Sequence, residues 1–478
     1  MNRSTDNRST NSAQISLALL TLTLASCTPA ESFPDLAIHN VTVVDAVNGV
    51  REGQTVVVDD GRIVQVAPAG EPVQAAENVD GAGRYLMPGL WDFHVHLTYD
   101  DRFTEAMPGL FLHHGITSIR DTGGLLEEVK PVVDRLRAEG AVAPRVFFAG
   151  PLLDGEHVVY DGVNMPGLGI ANADVEAARA NVAALAEAGV DFLKIYEMVT
   201  PEVFAAMVAE ANARGLPMDG HVPLSMLASE AGPQMQSLEH LRNIEMDCAA
   251  DAPAMLEERR RILADHDGGP GASLRSRLHR LHRLPSVESY DEARCDEVLA
   301  SLTSTIQVPT LRLNALSLKP PYLRTDWTRT LERIPEAVAE EWRAAGESAM
   351  ESTEPPDTTY AAWSRFLAGR MHEAGVPLAA GTDTPIGLSV PGYSLHHELQ
   401  WLVRAGLTNE EALYAATVRP AEFFGLDAEM GQVQEGFLAD LVLLTGNPLS
   451  DIGFTRLVDA VVTKGELLTR EELDALVR

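Results

Sequence analysis

The middle of the chain alternates short apolar runs with amphipathic stretches, and this alternation restricts the fold more than any other feature. Eight strand-like runs lie between residues 86 and 383, and helical patterns follow several of them. Strands and helices in alternation indicate parallel βα units. Eight such units predict an α/β fold of the closed (β/α)8, or TIM, barrel type, which forms its sites at the carboxyl ends of the strands. The runs are residues 86–97, 116–123, 145–153, 191–197, 217–223, 237–241, 307–313 and 377–383.

Short strand-like segments also flank this region on both sides. Residues 36–66 contain two runs around Asp60-Gly61, a hairpin signal, and residues 431–446 and 459–468 have similar runs with glycine turns. We therefore predict that both chain ends form one small β-sandwich domain, from residues 34–86 and 429–470, beside a barrel over 87–428.

One connection of the predicted barrel is too long. The stretch from His240 to Asp383 spans 143 residues, whereas two βα units of such a barrel need about 60. Residues 242–305 are rich in arginine and have a helical pattern, so we interpret about 242–305 as an insertion.

The first 27 residues have the layout of an export signal. An apolar run over residues 15–25 follows a segment with two arginines, and it ends in Leu24-Ala25-Ser26-Cys27, which resembles a bacterial lipobox. We predict cleavage of this signal peptide and lipidation of Cys27. The product would be a cell-envelope lipoprotein, on the periplasmic face or the outer membrane.

Two further cysteines, Cys248 and Cys295, lie in the insertion. In an oxidising compartment we predict that they form a disulfide, and two unpaired buried thiols are the alternative.

The charge of the chain limits its partners. A net charge of −32 disfavours nucleic acid and anionic membrane surfaces. We expect a small-molecule substrate and membrane contact through the lipid anchor only, and the sequence is compatible with a homo-oligomer.

Metal-competent side chains lie in or at the end of five different strand-like runs. His94 and His96 are two residues apart, so a strand directs both imidazoles to one side. Taken singly, each candidate has a structural explanation, such as a surface lysine, a core histidine or a helix cap. Their shared position favours a metal site. The full set is His94, His96, Lys194, His221, His240 and Asp383.

The segments around these residues resemble a known family. MPGLWDFHVHL, DFLKIY, GHVP, SLEH and AAGTD resemble the motifs of strands one, four, five, six and eight of the amidohydrolase superfamily. GFLADLVLLTGNPLSDI resembles the C-terminal β segment of its imidazolonepropionase-like and prolidase-like branch. The resemblance covers about residues 36–468.

This resemblance implies two divalent metal ions, which we expect to be zinc. His94, His96 and Asp383 would hold one ion, and His221 and His240 the other. Lys194, carbamylated by CO2, would bridge them. It also implies a hydrolase of carbon–nitrogen bonds that uses a metal-bridging hydroxide, with Asp383 as the catalytic proton carrier.

For the substrate we predict an amide of a small peptide or an N-acyl amino acid, as in a dipeptidase. Three alternatives stay open: an esterase, lactonase or phosphotriesterase on the same site, a mononuclear deaminase, and a non-catalytic binding lipoprotein. Lys194 argues against the deaminase, and the complete ligand set argues against the binding protein. Arg120, Tyr160 and Tyr196 follow strands two, three and four, and they are candidate substrate-binding residues.

Overall fold

The structure is a computed structural model that describes residues 33–70, 73–266 and 268–478. The predicted signal segment 1–27, with the lipid attachment at Cys27, lies outside the described residues. Residues Pro34–Arg478 form one compact unit. Among the described residues, no helix combines the length and the apolar character needed to cross a bilayer.

Seventeen strands run through the described chain. They are β1 (Leu36–Asp45), β2 (Gly49–Asp59), β3 (Arg62–Pro68), β4 (Glu77–Asp80), β5 (Tyr85–Pro88), β6 (Leu90–Val95), β7 (Ile116–Asp121), β8 (Arg145–Phe148), β9 (Leu152–Asp154), β10 (Gly169–Ala171), β11 (Leu193–Ile195), β12 (Met218–Gly220), β13 (Ser237–Glu239), β14 (Ile306–Val308), β15 (Leu441–Leu444), β16 (Val458–Thr463) and β17 (Glu466–Thr469).

The helices fall mainly between these strands. They are α1 (Asp101–Thr104), α2 (Met107–His113), α3 (Leu126–Arg137), α4 (Val175–Ala188), α5 (Pro201–Arg214), α6 (Ala228–Ala231), α7 (Ile244–Asp247), α8 (Ala252–Ala264), α9 (Gly271–Glu288), α10 (Glu292–Ser301), α11 (Leu311–Asn314), α12 (Trp327–Leu331), α13 (Glu336–Glu351), α14 (Thr359–Glu373), α15 (Tyr393–Ala405), α16 (Asn409–Ala415), α17 (Val418–Phe423) and α18 (Arg470–Ala475). Three 3₁₀ turns occur at Gly232–Gln234, Pro321–Leu323 and Ile452–Arg456.

Both chain ends contribute to one sheet, as the sequence predicts. Its order is β17-β16-β15-β5-β1-β2-β3, with β4 paired to β1. The antiparallel pair β15–β5 joins the C-terminal strands to the N-terminal ones. Within the described chain these strands form a single continuous sheet rather than two separate facing sheets. Apolar side chains from both ends, such as Val43 and Leu443, share one core.

The barrel is a ring of eight parallel positions. Three ladders supply most of it: β6-β7-β8, β10-β9-β11-β12 and β13-β14. The amide of Asp191 donates to Phe148 O (2.9 Å), and the amide of Gln236 donates to Met218 O (2.9 Å), so the gaps between ladders are bridged. Residues 377–384 occupy the eighth position as an irregular segment. It bridges in parallel to β14 through Leu378 and to β6 through Thr384, which closes the ring.

The seventh predicted run needs a correction. Residues 307–313 were expected to be one strand, but the strand ends at Val308 and a short helix, α11, begins at Leu311. The Glu398 carboxylate accepts the backbone N–H groups of Leu311 (2.9 Å) and Arg312 (2.6 Å). A carboxylate at a helix start satisfies donors that have no partner within the helix, so this long-range contact favours the helical turn.

The long connection after β13 is helical. It consists of α7, α8, α9 and α10 between His240 and β14. Cys248 at the end of α7 and Cys295 in α10 form a disulfide, with an S–S distance of 2.18 Å. Both half-cystines are buried.

Candidate metal centre

The carboxyl ends of five barrel positions bring the predicted ligands together. His94 lies in β6 and His96 directly after it, while His221 and His240 directly follow β12 and β13. Lys194 lies in β11, and Asp383 in the closing segment 377–384. All of these residues are buried, with at most 6% of any one exposed. The six therefore converge on one interior point at the mouth of the barrel.

Three of the ligand atoms form a small triangle. His94 Nε2 lies 3.1 Å from Asp383 Oδ1, His96 Nε2 lies 3.3 Å from the same oxygen, and the two nitrogens are 3.3 Å apart. Ligand atoms that share a tetrahedral ion at zinc distances are about 3.3 Å apart. The donor set therefore fits a divalent ion at the centre of His94, His96 and Asp383.

A second pair of imidazoles adjoins this triangle. The His240 ring centroid lies 4.7 Å from that of His94 and 4.9 Å from that of His221. His240 Nε2 is 4.0 Å from Asp383 Oδ2, the carboxylate oxygen that faces away from the first triangle. His94, Glu239 and His240 form a second group of possible metal ligands, and His221 adjoins it.

Three of the four imidazoles have a hydrogen-bonding partner at the outer nitrogen. His96 Nδ1 donates to Gly123 O (3.2 Å), and His221 Nδ1 lies 2.6 Å from Glu197 Oε1. His240 Nδ1 lies 2.7 Å from Thr310 Oγ1, and His94 Nδ1 lies 2.7 Å from Glu239 Oε1. A proton held on Nδ1 leaves the Nε2 lone pair free for a metal. This arrangement suits metal ligation by His96, His221 and His240, whereas His94 Nδ1 lies near Glu239 without a hydrogen bond to it.

Burial keeps three of the imidazoles, those of His94, His221 and His240, neutral. It lowers the pKa of His221 to about 4, and it lowers the pKa of His94 and holds that of His240 well below the usual range. Burial opposes ionisation of Asp383, but the facing imidazoles of His240 and His94 outweigh it and hold the Asp383 pKa well below its ordinary range. Neutral imidazoles and an ionised carboxylate are the forms that bind a divalent cation.

Lys194 is the most unusual member of the group. Its Nζ lies 3.1 Å from Asp219 Oδ2 and also contacts Glu239 Oε2. Burial lowers the pKa of Lys194 to about 8, so a substantial fraction of the amine is neutral near pH 8. A neutral amine is what reaction with CO2 requires. Without that modification, Lys194 is an ion-paired lysine between two carboxylates.

Two glycines of the sequence motifs are required by close backbone contacts. A Cβ on Gly220, before His221, would lie 2.2 Å from Ile195 O, and one on Gly381 would lie 2.9 Å from His94 N. Two ligands, His240 and Asp383, both have φ of 59°, a left-handed conformation that is uncommon for residues other than glycine. Such backbone at the end of a strand turns the chain away while the side chain stays in the site.

Sequence reasoning missed the carboxylates that surround the ligands. Glu239 lies beside His94 and Lys194, and Asp219 Oδ2 faces Lys194. Glu197 contacts His221 and also Arg275 (2.9 Å) from helix α9. Glu239 and Asp219 each stand within two residues of a ligand histidine in the sequence, which is the signal that could have found them. Arg275 lies far away in the sequence, in the insertion, and no local pattern points to it.

One substrate-binding prediction is corrected by the structure. Arg120 has no exposed surface and lies in the interior of the barrel. Its guanidinium donates to Phe93 O (2.8 Å), Ser237 Oγ (2.9 Å) and Glu239 Oε1 (2.8 Å). Phe93 packs against it, with the guanidinium carbon 3.6 Å from the ring centre. Arg120 therefore supports Glu239 from below and does not face a substrate.

The two tyrosines lie where the sequence placed them, close to the histidines. Tyr160 and Tyr196 line the same cavity as the ligands, and their ring centres are 5.7 Å apart. This cavity has a volume of about 20 Å³, roughly that of one water molecule. A cavity of about 730 Å³ lies elsewhere, against α15 and residues 451–457, and none of its described lining residues is a histidine. Chemistry rather than volume therefore identifies the site.

Comparison with known proteins finds similarity to amidohydrolases. The model of the amidohydrolase family matches residues 361–468. Ochratoxinase of Aspergillus niger is 44% identical over 82 residues, which is 17% of this chain and 16% of that protein. The chain thus aligns with about a sixth of the length of that curated relative.

Two similarities extend over nearly the whole chain. Imidazolonepropionase of Symbiobacterium thermophilum is 26% identical over 436 residues, covering 86% of this chain and 89% of that protein. The crystal structure of a putative prolidase from Bifidobacterium longum aligns with a TM-score of 0.63 and 26% identity, covering 93% and 98% of the two chains. The matched family model, these similarities and the barrel together support the amidohydrolase superfamily, in its imidazolonepropionase-like and prolidase-like branch, as the family that this chain resembles.

Proposed function

We propose that the chain is a metal-dependent hydrolase that cleaves the amide bond of a small peptide or an N-acyl amino acid. The observation that carries this proposal is the convergence of four Nε2-presenting histidines, Asp383 and Lys194 at the barrel mouth. Divalent ions bound there would polarise the amide carbonyl. They would also lower the pKa of a metal-bound water molecule to about 7, so that hydroxide is available near neutral pH.

The residues of the chain have separable roles in this proposal. His94 and His96 share Asp383 Oδ1, so Asp383 Oδ2 remains to accept a proton from attacking water and deliver it to the leaving nitrogen. Tyr160 and Tyr196 close the cavity, so they would exclude bulk water and contact the substrate beside the amide. Because the cavity holds so little, only the reacting group would enter it.

The similarity of the chain to the putative prolidase and to ochratoxinase supports an amide as the substrate. The site chemistry alone suits esters as well, since both reactions pass through attack on a carbonyl. The choice of a peptide or N-acyl amino acid therefore rests on these similarities.

Turnover by metal-reconstituted protein tests the proposal. The panel would pair dipeptides and N-acyl amino acids with matched esters and lactones. We expect hydrolysis of amides that requires added Zn²⁺ and ends when a chelator is added. Hydrolysis of the esters alone would contradict the amide assignment, and turnover that survives removal of metal would contradict the metal dependence.

We further propose that the chain is exported and anchored through a lipid on Cys27. The lipobox-like LASC segment supports this, and the buried Cys248–Cys295 bond suits an oxidising compartment. Mass spectrometry of the protein from its native host should find Cys27 as the lipidated N-terminus. An intact peptide across Ser26–Cys27 would rule this out.

A further inference from the structure

Helix α9 of the insertion places a row of arginines beside the metal centre. Arg275, Arg280 and Arg283 lie on this helix, and together with Arg242 they line a cavity of about 430 Å³, here called the arginine chamber. Arg242 also lines the small cavity over the histidines. The two spaces are therefore neighbours, and the chamber has the volume of a typical small-molecule site.

The chamber has the opposite charge to the molecule as a whole. The chain carries a net charge of −32, yet four arginines line this one cavity. Among its described lining residues, Asp357 is the single acidic one, and it is exposed at the rim. Such a local reversal of sign attracts an anion to the chamber, which adjoins the cavity over the histidines through Arg242.

Two buried carboxylates behind the wall neutralise only part of this charge. Glu197 lies 2.9 Å from Arg275 and 3.5 Å from Arg242. Glu245 lies 3.7 Å from Arg283 Nε, which is too far for a hydrogen bond. Arg280 is exposed on α9 and lines the chamber.

Two N–H groups of the arginines that line the chamber have no hydrogen-bond acceptor among the described residues. The buried Nε atoms of Arg275 and Arg283 have no hydrogen-bond partner among the described residues. A buried donor without an acceptor is unfavourable. Both guanidinium groups lie along a cavity large enough to admit one.

From this arrangement we propose that the arginine chamber binds a carboxylate of the substrate, away from the bond that is cut. A guanidinium offers two parallel N–H donors that match the two oxygens of a carboxylate. The inference rests on the proposed amide hydrolase and makes its substrate an anionic amide. In this arrangement the carbonyl of the substrate amide would lie at the histidines, and the substrate carboxylate would be held by Arg242, Arg275 and Arg280.

Calorimetry with the metal-loaded full chain tests this, using succinate and its uncharged analogue succinamide as probes. Wild-type protein should bind succinate at least about tenfold more tightly than succinamide, as expected for charge-assisted bonds. Arg242→Gln and Arg280→Gln should each abolish most of that preference. Arg277→Gln, on the exposed side of α9 and outside the chamber, is the matched control and should keep it.

The variants separate the chamber from the metals, because a carboxylate can also ligate a metal ion directly. Succinate affinity that is unchanged in Arg242→Gln and Arg280→Gln, or a wild-type protein without preference for succinate, would overturn the proposal. Binding is measured without turnover, so the two proposals fail separately. Arg280-dependent binding without amide hydrolysis would refute only the proposed function, and hydrolysis indifferent to substrate charge would refute only the chamber.

Discussion

Each histidine of the metal centre is oriented by a group that contacts its Nδ1 side. For His94 this group is Glu239, whose other contacts are Lys194 and the buried guanidinium of Arg120. Glu239 thus connects the first-strand ligand to the lysine of strand four and to the interior of the barrel. Orienting carboxylates of this kind commonly contribute a factor of about 10–100 in metal affinity or activity.

We therefore expect Glu239→Gln to weaken metal binding and turnover by about 10–100-fold. The glutamine side chain lacks the negative charge that lies beside His94 Nδ1 and that pairs with Arg120. Competition with a fluorescent zinc chelator measures the affinity. Asp45→Asn, a buried carboxylate of the terminal sheet, is the control and should keep wild-type metal affinity. Equal affinity in Glu239→Gln and wild type would remove Glu239 from the site.

A second buried carboxyl group should make stability depend on pH. Burial raises the pKa of Glu398 to about 8, while the backbone N–H groups of Arg312 and Leu311 act against this rise. The folded protein then keeps a proton that the unfolded chain has released, so the contribution of Glu398 to stability falls as pH rises from about 5 to about 8.

Glu398→Gln should remove this slope, which is at most about 1.4 kcal/mol per pH unit for one proton. Urea unfolding of both proteins across that range measures the difference in slope. Glu347→Gln, at an exposed position of α13, should keep the wild-type slope. A slope in Glu398→Gln equal to that of wild type would show that Glu398 is ionised throughout.

The convergence of the six candidate ligands was predictable because each stands at a fixed place in a strand motif. The residues that contact these candidate ligands and their neighbouring carboxylates were not all predictable. Arg275, for example, lies in the insertion and contacts Glu197, which is 78 positions away in the sequence. The error at Arg120 has a similar origin. Its position after strand two suggested a pocket residue, but the side chain points into the barrel, where Glu239 and Ser237 can pair with it.

At the scale of elements, the insertion forms one wall of the site. Helix α9 supplies Arg275 and His279, and both contact Glu197, the partner of His221. The Cys248–Cys295 bond closes a loop of 47 positions that contains this helix. Removing the disulfide should therefore mainly lower the stability of the fold, and to a smaller extent change the orientation of His221.

The double variant Cys248→Ser/Cys295→Ser should lose about 2–4 kcal/mol of stability, since loop closure of this size restricts the unfolded chain. Thermal unfolding with and without a reductant measures this. The reductant should lower the unfolding midpoint of wild type and leave that of the double variant unchanged. Two free thiols in denatured, non-reduced wild-type protein would contradict the prediction.

Over the whole molecule, the order of elements was predictable and their exact extent was not. The alternation of runs and helices predicted the ring of eight positions. The hairpin at Asp60-Gly61 was predictable because this residue pair favours a tight β-turn, and both residues have the positive φ that such a turn requires. The irregular segment 377–384 and the helix at Leu311 depend on contacts with β6 and Glu398, which lie far away in the sequence. Local patterns carry no information about such contacts.

We propose that two ions share the site with Lys194 between them, and Lys194→Ala tests this most directly. In the structure this lysine contacts Asp219 and Glu239, so an ion-paired structural lysine is the competing explanation. Metal content and turnover would be measured together on wild type, Lys194→Ala, Lys194→Arg and the exposed control Lys130→Ala.

Wild type and Lys130→Ala should bind two ions and turn over at the same rate. Lys194→Ala should lose at least one ion and nearly all activity, and small carboxylic acids should restore part of it by replacing the lost carbamate. Small carboxylic acids should not restore the activity of Lys194→Arg, because its guanidinium fills the space and stays charged. A mononuclear enzyme would keep one ion and substantial activity in Lys194→Ala. Wild-type metal content and turnover in Lys194→Ala would contradict the binuclear account altogether.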